Sequence, residues 1–348
     1  TLKSLGITSV AVYAEADRHA LHRRVADEAW PLGSGSAAET YLDQEKLFAI
    51  VEQSGAEAVH PGYGFLSENA EFVRACESRG LVFIGPKAEQ IEAFGMKHTA
   101  RRLARDSEVP LLPGTGLLES AGQALREAEA IGYPVMLKST AGGGGIGMQV
   151  CIDAATLATN FDRVKRLGAN NFAHDGVYLE KFIAGARHIE VQVFGDGRGG
   201  VRALGERDCS AQRRHQKVLE ETPAPNLRDE VRAGLYATAV RLMAAVNYRS
   251  AGTVEFIYDP ESEDFWFLEV NTRLQVEHGV TEQVYGIDLV AWMIQLAAGA
   301  IEDVENLPQT NPQGWSIQAR IYAEDPNKDF QPSAGLLTHV SFPEVVER

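Results

Sequence analysis

Cysteine is scarce in this 348-residue chain: only Cys76, Cys151 and Cys209, odd in number and without a CxxC spacing. That excludes a disulfide framework and reads as reduced thiols in a cytoplasmic compartment. Long apolar runs are lacking as well, so neither a membrane-spanning helix nor a secretory signal is expected. Positive charge is in deficit, 33 basic against 48 acidic side chains for a net −15. Such a balance argues against nucleic acid or an anionic membrane as the main partner, although a local basic cluster can still hold a small anion. Internal repeats and low-complexity tracts are missing too. What remains is the composition of an ordinary globular protein, 45% hydrophobic and 23% charged, long enough for two or three domains.

The most informative segment runs from Phe265 to His278. Phe265-Trp-Phe-Leu268 suits a buried strand, but carboxylates, amides and a guanidinium then recur at every second position. Period 2 on a strand puts Glu269, Asn271, Arg273, Gln275 and Glu277 on one face, with Val270 and Val276 on the other. A core does not accept that face unless something polar and charged lies against it. A hard cation held by Glu269 and Asn271, beside an anion held by Arg273, is the simplest filling. Upstream, Ser250–Tyr258 reads as a strand, 259–264 as a turn and Phe265–Val270 as the returning strand. In such a hairpin Glu255 and Glu269 face the same side. Magnesium and manganese take one or two carboxylates together with phosphate oxygens, so this pair fits a metal-bound nucleotide.

Elsewhere the chain alternates. Short apolar strands at Val10–Tyr13, Ala58-Val59 and Leu81–Ile84 are separated by helical spacing at 43–53 and 69–79, a βαβ pattern with a parallel sheet. Thr1–Gly6 reads as the last turns of a helix ending at a glycine. The chain is therefore expected to be a piece of a longer polypeptide. A Lys/Arg-rich helix spans about 94–109. A small unit follows, with helices at 121–131 and 154–167 and strands at 135–138, 148–152 and 177–182. From Arg187 onward hairpins dominate, flanked by helices at 229–246 and 289–297.

Between Lys138 and Met148 lies Ala-Gly-Gly-Gly-Gly-Ile-Gly, residues 141–147. Glycines bring backbone N–H groups close to an anion. The strand–loop–strand setting excludes a Walker loop and a dinucleotide fingerprint, which need a helix directly after the glycines. A phosphate-covering flap with Lys138 at its base is the better reading. Glu206–Lys217 is a dense polar and basic stretch. His60-Pro-Gly-Tyr63-Gly follows a strand, where ligands collect in α/β sheets, and His60 itself reads as structural.

Taken together, His60–Asn69, Gly95–Ala100, Lys138–Met148, Arg187–Gln192, Glu206–Glu221, Glu255, Phe267–Glu282 and Arg320–Pro326 resemble, in order, the biotin carboxylase component of biotin-dependent carboxylases. These enzymes are members of the ATP-grasp superfamily. The resemblance covers almost the whole chain. It implies an α/β ATP-grasp fold: an N-terminal parallel α/β domain at 1–93, a helical linker at 94–109, a small α+β lid with the glycine flap at 110–182, and a larger mixed-sheet domain at 183–348. The first strand before Thr1 and the region after Arg348 would be missing.

The resemblance also implies an ATP-dependent ligase and its site. Lys97 and Lys138 would hold ATP phosphates under the flap of Gly143, Gly144 and Gly145. Glu180 would lie at the adenine hinge, with His188 near the nucleotide and Gln212 and His215 as further pocket residues. Glu255, Glu269 and Asn271 would carry Mg2+ or Mn2+. Lys217, Arg273, Gln275 and Val276 would bind bicarbonate, Glu277 would be its base, Arg320 would stabilise the biotin ureido oxygen, and Tyr63 would lie near biotin. Biotin itself would arrive on a carboxyl carrier domain which, with a carboxyltransferase domain, would share the full-length polypeptide; a homo-oligomer is allowed. Two departures, Ile146 in the flap and Gly279 where most of the family has proline, look like the urea carboxylase branch. An acyl-CoA or pyruvate carboxylase, and a non-catalytic nucleotide-binding fragment, stay open as alternatives.

Overall fold

The computed structural model describes residues 1–140, 147–172, 176–213, 216–308 and 311–333, together with 335, 339 and 341. In chain order the strands and helices are β1 (Val10–Ala14), α1 (Leu21–Val25), β2 (Glu28–Gly33), α2 (Gln44–Ser54), β3 (Ala58–Val59), α3 (Ala70–Ser78), β4 (Val82–Phe83), α4 (Ala88–Gly95), α5 (Lys97–Asp106), α6 (Ala121–Ile131), β5 (Val135–Ser139), β6 (Met148–Cys151), α7 (Ala154–Phe172), β7 (Val177–Lys181), β8 (Arg187–Asp196), β9 (Val201–Arg213), β10 (Gln216–Thr222), α8 (Asp229–Ala244), β11 (Arg249–Tyr258), β12 (Phe265–Asn271), α9 (His278–Tyr285), α10 (Leu289–Ala297), β13 (Ser316–Ala319), β14 (Glu324–Asp325) and β15 (Gln331–Pro332).

The first ninety residues carry two parallel pairs, β1 with β2 and β3 with β4. The parallel pairing follows from the alternation of short strands with helices. Asp43 and Asn69 cap α2 and α3 by accepting from the backbone N–H of Lys46 and Phe72. A single turn of 3-10 helix at Lys3–Leu5 ends on Gly6 in the left-handed region. β2 and α4 were not legible: Glu28–Gly33 contains a proline and polar ends, and α4 follows a four-residue gap after β4. Phe48, Phe72, Val73, Phe83 and Ile91 form the core here.

A three-stranded antiparallel sheet, in the order β6-β5-β7, packs against α6 and α7. Its inward residues, Val135, Leu137, Val177 and Leu179, are fully buried with Leu157 of α7. The larger sheet has six strands in the order β12-β11-β8-β9-β10-β13, and every adjacent pair in it is antiparallel. Ile189, Val191, Val193, Val254 and Phe256 face α8 and pack on Val231, Leu235 and Leu242. Toward the far end of the other face, Phe194, Leu204 and Ala251 meet Leu289, Trp292 and Met293 of α10.

One extended segment is stitched to both sheets. The Phe267 N–H donates to the Pro110 carbonyl at 2.8 Å, at the edge of the larger sheet. Lys181 N–H donates to Pro113, Thr115 N–H to Leu179 and Leu118 N–H to Val177, at the edge of the smaller one. No helix among the described residues is long and apolar enough to cross a membrane.

Candidate functional site

Register decides which side chains meet. Across the larger sheet, Glu269 of β12 is opposite Glu255 of β11, Glu255 opposite Glu190 of β8, and Glu190 opposite Arg207 of β9. Directly paired residues point to the same face, so three glutamates and an arginine form one lateral row. The next row contains Asn271, Thr253 and Gln192. Like charges set side by side are destabilising unless cations partner them.

Two cations do so. The Lys217 ammonium lies 2.6 Å from Glu190, 2.9 Å from Glu255 and 2.8 Å from Glu277. Arg207, completely buried, uses every donor of its guanidinium: on Glu190, on Gln192 at 2.7 Å, on Thr281 at 2.9 Å, on Thr253 at 3.3 Å and on Gln275 at 2.8 Å. Burial alone would push the Lys217 amine down, but Glu190 and Glu255 raise it above its ordinary value. Glu255 is likewise disfavoured by burial, yet His188 at 2.8 Å and Lys217 hold its carboxyl well below the usual range. His188 is pushed down by burial and, more strongly, up by Glu255, so its imidazole is raised overall.

The expectation of one continuous polar strand face needs correction. β12 ends at Asn271, and residues 272–277 leave the strand before α9. Arg273, Gln275 and Glu277 nevertheless border the same cleft, because Thr272 N–H and the Arg273 Nε both donate to Glu68, at 3.0 and 2.9 Å. Val270 faces the core as expected, whereas Val276 lines the cleft. Arg273 takes Glu68 and Asn271 as partners rather than Glu277. Glu277 is held instead between Lys217 and Arg320, the latter at 2.9 Å. Arg320 also donates to buried Glu220 at 2.6 Å.

The cleft measures about 750 Å³ and lies between the two sheets. Its other wall brings Lys97 at the start of α5 together with Lys138 of β5 and Glu180 of β7. Lys138 and Arg101 both grip the Glu180 carboxylate. Burial disfavours that charge, but Lys138 and Arg101 hold its carboxyl below the ordinary value. Burial and then Lys138 push the Lys97 amine down. Desolvation and the neighbouring Glu255 charge raise the Glu269 carboxyl, although its side chain opens toward the cleft. A pair of acids at odds in this way is one that a divalent cation relieves, so Glu255 and Glu269 fit a metal–nucleotide. His188, Glu190 and Glu255 also bring possible ligand atoms within 4.8 Å of one another, but Lys217 sits among them.

Every expected site residue among those described borders this cleft except Tyr63, which is half-exposed on the loop after β3. Gly143, Gly144, Gly145, Ile146 and His215 lie outside the described residues. Gln212 donates to the Cys209 carbonyl and sits 2.9 Å from the His188 ring. Arg207, Glu190, Gln192, Glu68 and Arg101 were not singled out from the sequence. The signal for two of them was there: His188, Glu190 and Gln192 alternate with Ile189, Val191 and Val193, the period-2 pattern of a strand with one polar face.

Known proteins share this arrangement of elements. The family described as biotin carboxylase, N-terminal domain, matches residues 1–91, and the carbamoyl-phosphate synthase L chain ATP binding domain matches residues 96–304. Urea amidolyase of Saccharomyces cerevisiae is 52% identical over 344 residues, covering 99% of this chain and 19% of that protein. Methylcrotonoyl-CoA carboxylase subunit alpha of Mus musculus is 46% identical over 348 residues, covering 99% of this chain and 48% of that protein. Among solved structures, the biotin carboxylase domain of 2-oxoglutarate carboxylase from Hydrogenobacter thermophilus, in complex with MgADP, ADP and bicarbonate, has a TM-score of 0.90 at 42% identity. That match covers 99% of this chain and 76% of the other. The chain thus spans about a fifth of the length of the urea amidolyase it resembles.

Proposed function

The chain belongs to the biotin carboxylase family, and from that premise we propose that it carboxylates carrier-bound biotin at the expense of ATP, with bicarbonate as the carbon source. The observation that carries the reading is Glu277, buried and fixed between the Lys217 ammonium and the Arg320 guanidinium at the end of a cleft whose opposite wall holds Lys97 and Lys138. Such a cleft offers a base and cations at one end and phosphate-binding lysines at the other.

In this mechanism Lys217, Arg273, Gln275 and Val276 hold bicarbonate, and Glu277 takes its proton as the bicarbonate oxygen attacks the γ-phosphate, whose bond to the β,γ-bridging oxygen breaks to release ADP. Lys97 and Lys138 neutralise the phosphates, and phosphoryl transfer needs little beyond such positioning and charge. Glu255, Glu269 and Asn271 would hold Mg2+ or Mn2+, which would offset the charge of the phosphates. For Lys138 to reach a phosphate it must leave Glu180, with Arg101 keeping that carboxylate paired. The carboxyphosphate product is labile in water, and the flap at 141–147 would exclude water from it. Its breakdown gives CO2 and a phosphate that would take the proton of the biotin ureido nitrogen, which then bonds to CO2 while Arg320 would hold the charge on the ureido oxygen.

The reading divides the chain at residues 93, 109 and 182, with 110–182 as the lid. The likeness to urea amidolyase at 52% identity supports urea, or guanidine, as the final acceptor, reached through carrier and carboxyltransferase domains of one polypeptide. Allophanate is then the product from urea and carboxyguanidine the product from guanidine. Likeness to methylcrotonoyl-CoA carboxylase at 46% identity favours an acyl-CoA acceptor as the second reading. The test is ATP hydrolysis with free biotin at graded bicarbonate, followed in the intact protein by urea-, guanidine- or acyl-CoA-stimulated turnover. Bicarbonate-dependent hydrolysis that rises with biotin is the expected result. ATP cleavage indifferent to both would overturn the reading.

A further inference from the structure

Arg207 borders neither the cleft nor solvent, yet the polar architecture of the site converges on it. Its five N–H groups reach acceptors on four different elements: Glu190 and Gln192 on β8, Thr253 on β11, Gln275 after β12 and Thr281 on α9. Two of those acceptors lead directly to the anion end of the cleft. Gln275 accepts from Arg207 through its amide oxygen, which orients its amide nitrogen toward Glu255 at 3.0 Å. Glu190 accepts from Arg207 on one oxygen and from Lys217 on the other.

We propose that Arg207 is a positioning residue that sets Lys217 and Gln275 as one rigid pair, so that bicarbonate affinity depends on a side chain that never touches bicarbonate. This rests on the carboxylation reading above. A planar fork of five donors does this, whereas an ammonium at the same depth cannot satisfy acceptors spread over one plane. The buried surroundings enlarge the effect, since every acceptor left without its donor there is unsolvated. Glu255 receives both Gln275 and Lys217 on a single oxygen, so the two groups that Arg207 sets also converge on one shared acceptor.

The experiment compares the intact protein with Arg207→Lys and Thr281→Val. Binding of 13C-labelled bicarbonate is followed by line broadening, MgATP binding by calorimetry and folding by thermal melting. Arg207→Lys is expected to weaken bicarbonate binding by roughly tenfold or more, with MgATP binding within about twofold. Thr281→Val keeps the guanidinium and removes one acceptor, so it should shift bicarbonate in the same direction by a few-fold, and it decides the matter if Arg207→Lys does not fold. Equal losses for bicarbonate and MgATP, or bicarbonate binding unchanged in a folded variant, overturn the positioning role. A wild-type protein that binds MgATP but no bicarbonate overturns the carboxylation reading and this inference with it; a wild type that binds both, with unaffected variants, overturns this inference alone.

Discussion

The two sheets that enclose the cleft host charge in opposite ways. On the six-stranded sheet, buried Glu190 and Glu255 are bound with Glu277, from the segment after β12, to Lys217, and Arg207 joins them through Glu190, while the reverse face under α8 is apolar. In the three-stranded sheet the buried face against the helices is apolar, and the charge it presents to the cleft is Lys138, Glu180 and Lys181. The first arrangement fixes its groups before any ligand arrives, because moving one carboxylate unpairs the others. The second leaves Lys138 on a single carboxylate that Arg101 already shares, so the lysine can be given up. Preorganisation suits the acid–base end of a reaction, and a releasable contact suits the end that must admit and discharge a nucleotide.

The strongest challenge to this contrast is Glu277→Gln. If Glu277 is the base, bicarbonate-dependent ATP cleavage falls by roughly 100- to 10,000-fold while nucleotide binding survives. A maximal rate restored at saturating bicarbonate would reduce Glu277 to an orienting group. Lys217→Met comes next. It leaves three buried carboxylates facing one another, so stability should fall by about 3–5 kcal/mol in denaturant titration, alongside the loss of bicarbonate response. A fully stable Lys217→Met protein would show that the cluster is not held by its ammonium.

On the other wall, Glu180→Gln should lower the apparent KM for ATP by a few-fold, because Lys138 no longer has a charged partner to leave, and should keep bicarbonate dependence intact. Because Lys138 and Arg101 hold the Glu180 carboxyl below its ordinary value, its contribution to stability is complete above pH 4.5 and disappears as pH falls through the lowered pKa. Wild-type and variant melting curves should therefore converge in acid. Parallel curves at all pH values would remove Glu180 from the ion pair. The smallest effect is expected for Glu269→Gln. Relieving its repulsion from Glu255 should raise the melting temperature slightly without metal, while metal-dependent stabilisation by ATP declines. A metal response equal to wild type would rule out Glu269 as a ligand.

How much of this was legible follows from the same contrast. The run Glu269–Glu277 stood out because charged and amide groups alternating on an apolar strand require a polar ligand against that face, and the Glu255–Glu269 pairing followed from hairpin length. Arg207 did not, since a lone arginine between two acids in Glu206-Arg-Asp208 looks like a solvated turn. Its five acceptors are 15 to 74 residues away, and only sheet order brings them together. Glu68 was hidden for the same reason: it reaches Arg273 across 205 residues. In the N-terminal part, helices with capped ends and amphipathic faces could be read locally, whereas β2 and α4 depend on packing.

The segment from Pro110 to Leu118 acts as a hinge pin. Three backbone hydrogen bonds fasten its later half along the edge of the smaller sheet, and one fastens its start to the larger. Sliding one sheet past the other would break that clasp, whereas a change of angle between them would fall on residues 111 and 112, where Leu111 pairs with Phe267 and the Leu112 carbonyl accepts from Arg101 at 3.3 Å. Arg101 also holds Glu180 of the smaller sheet, so the joint between the two sheets and the carboxylate that Lys138 rests on share one guanidinium.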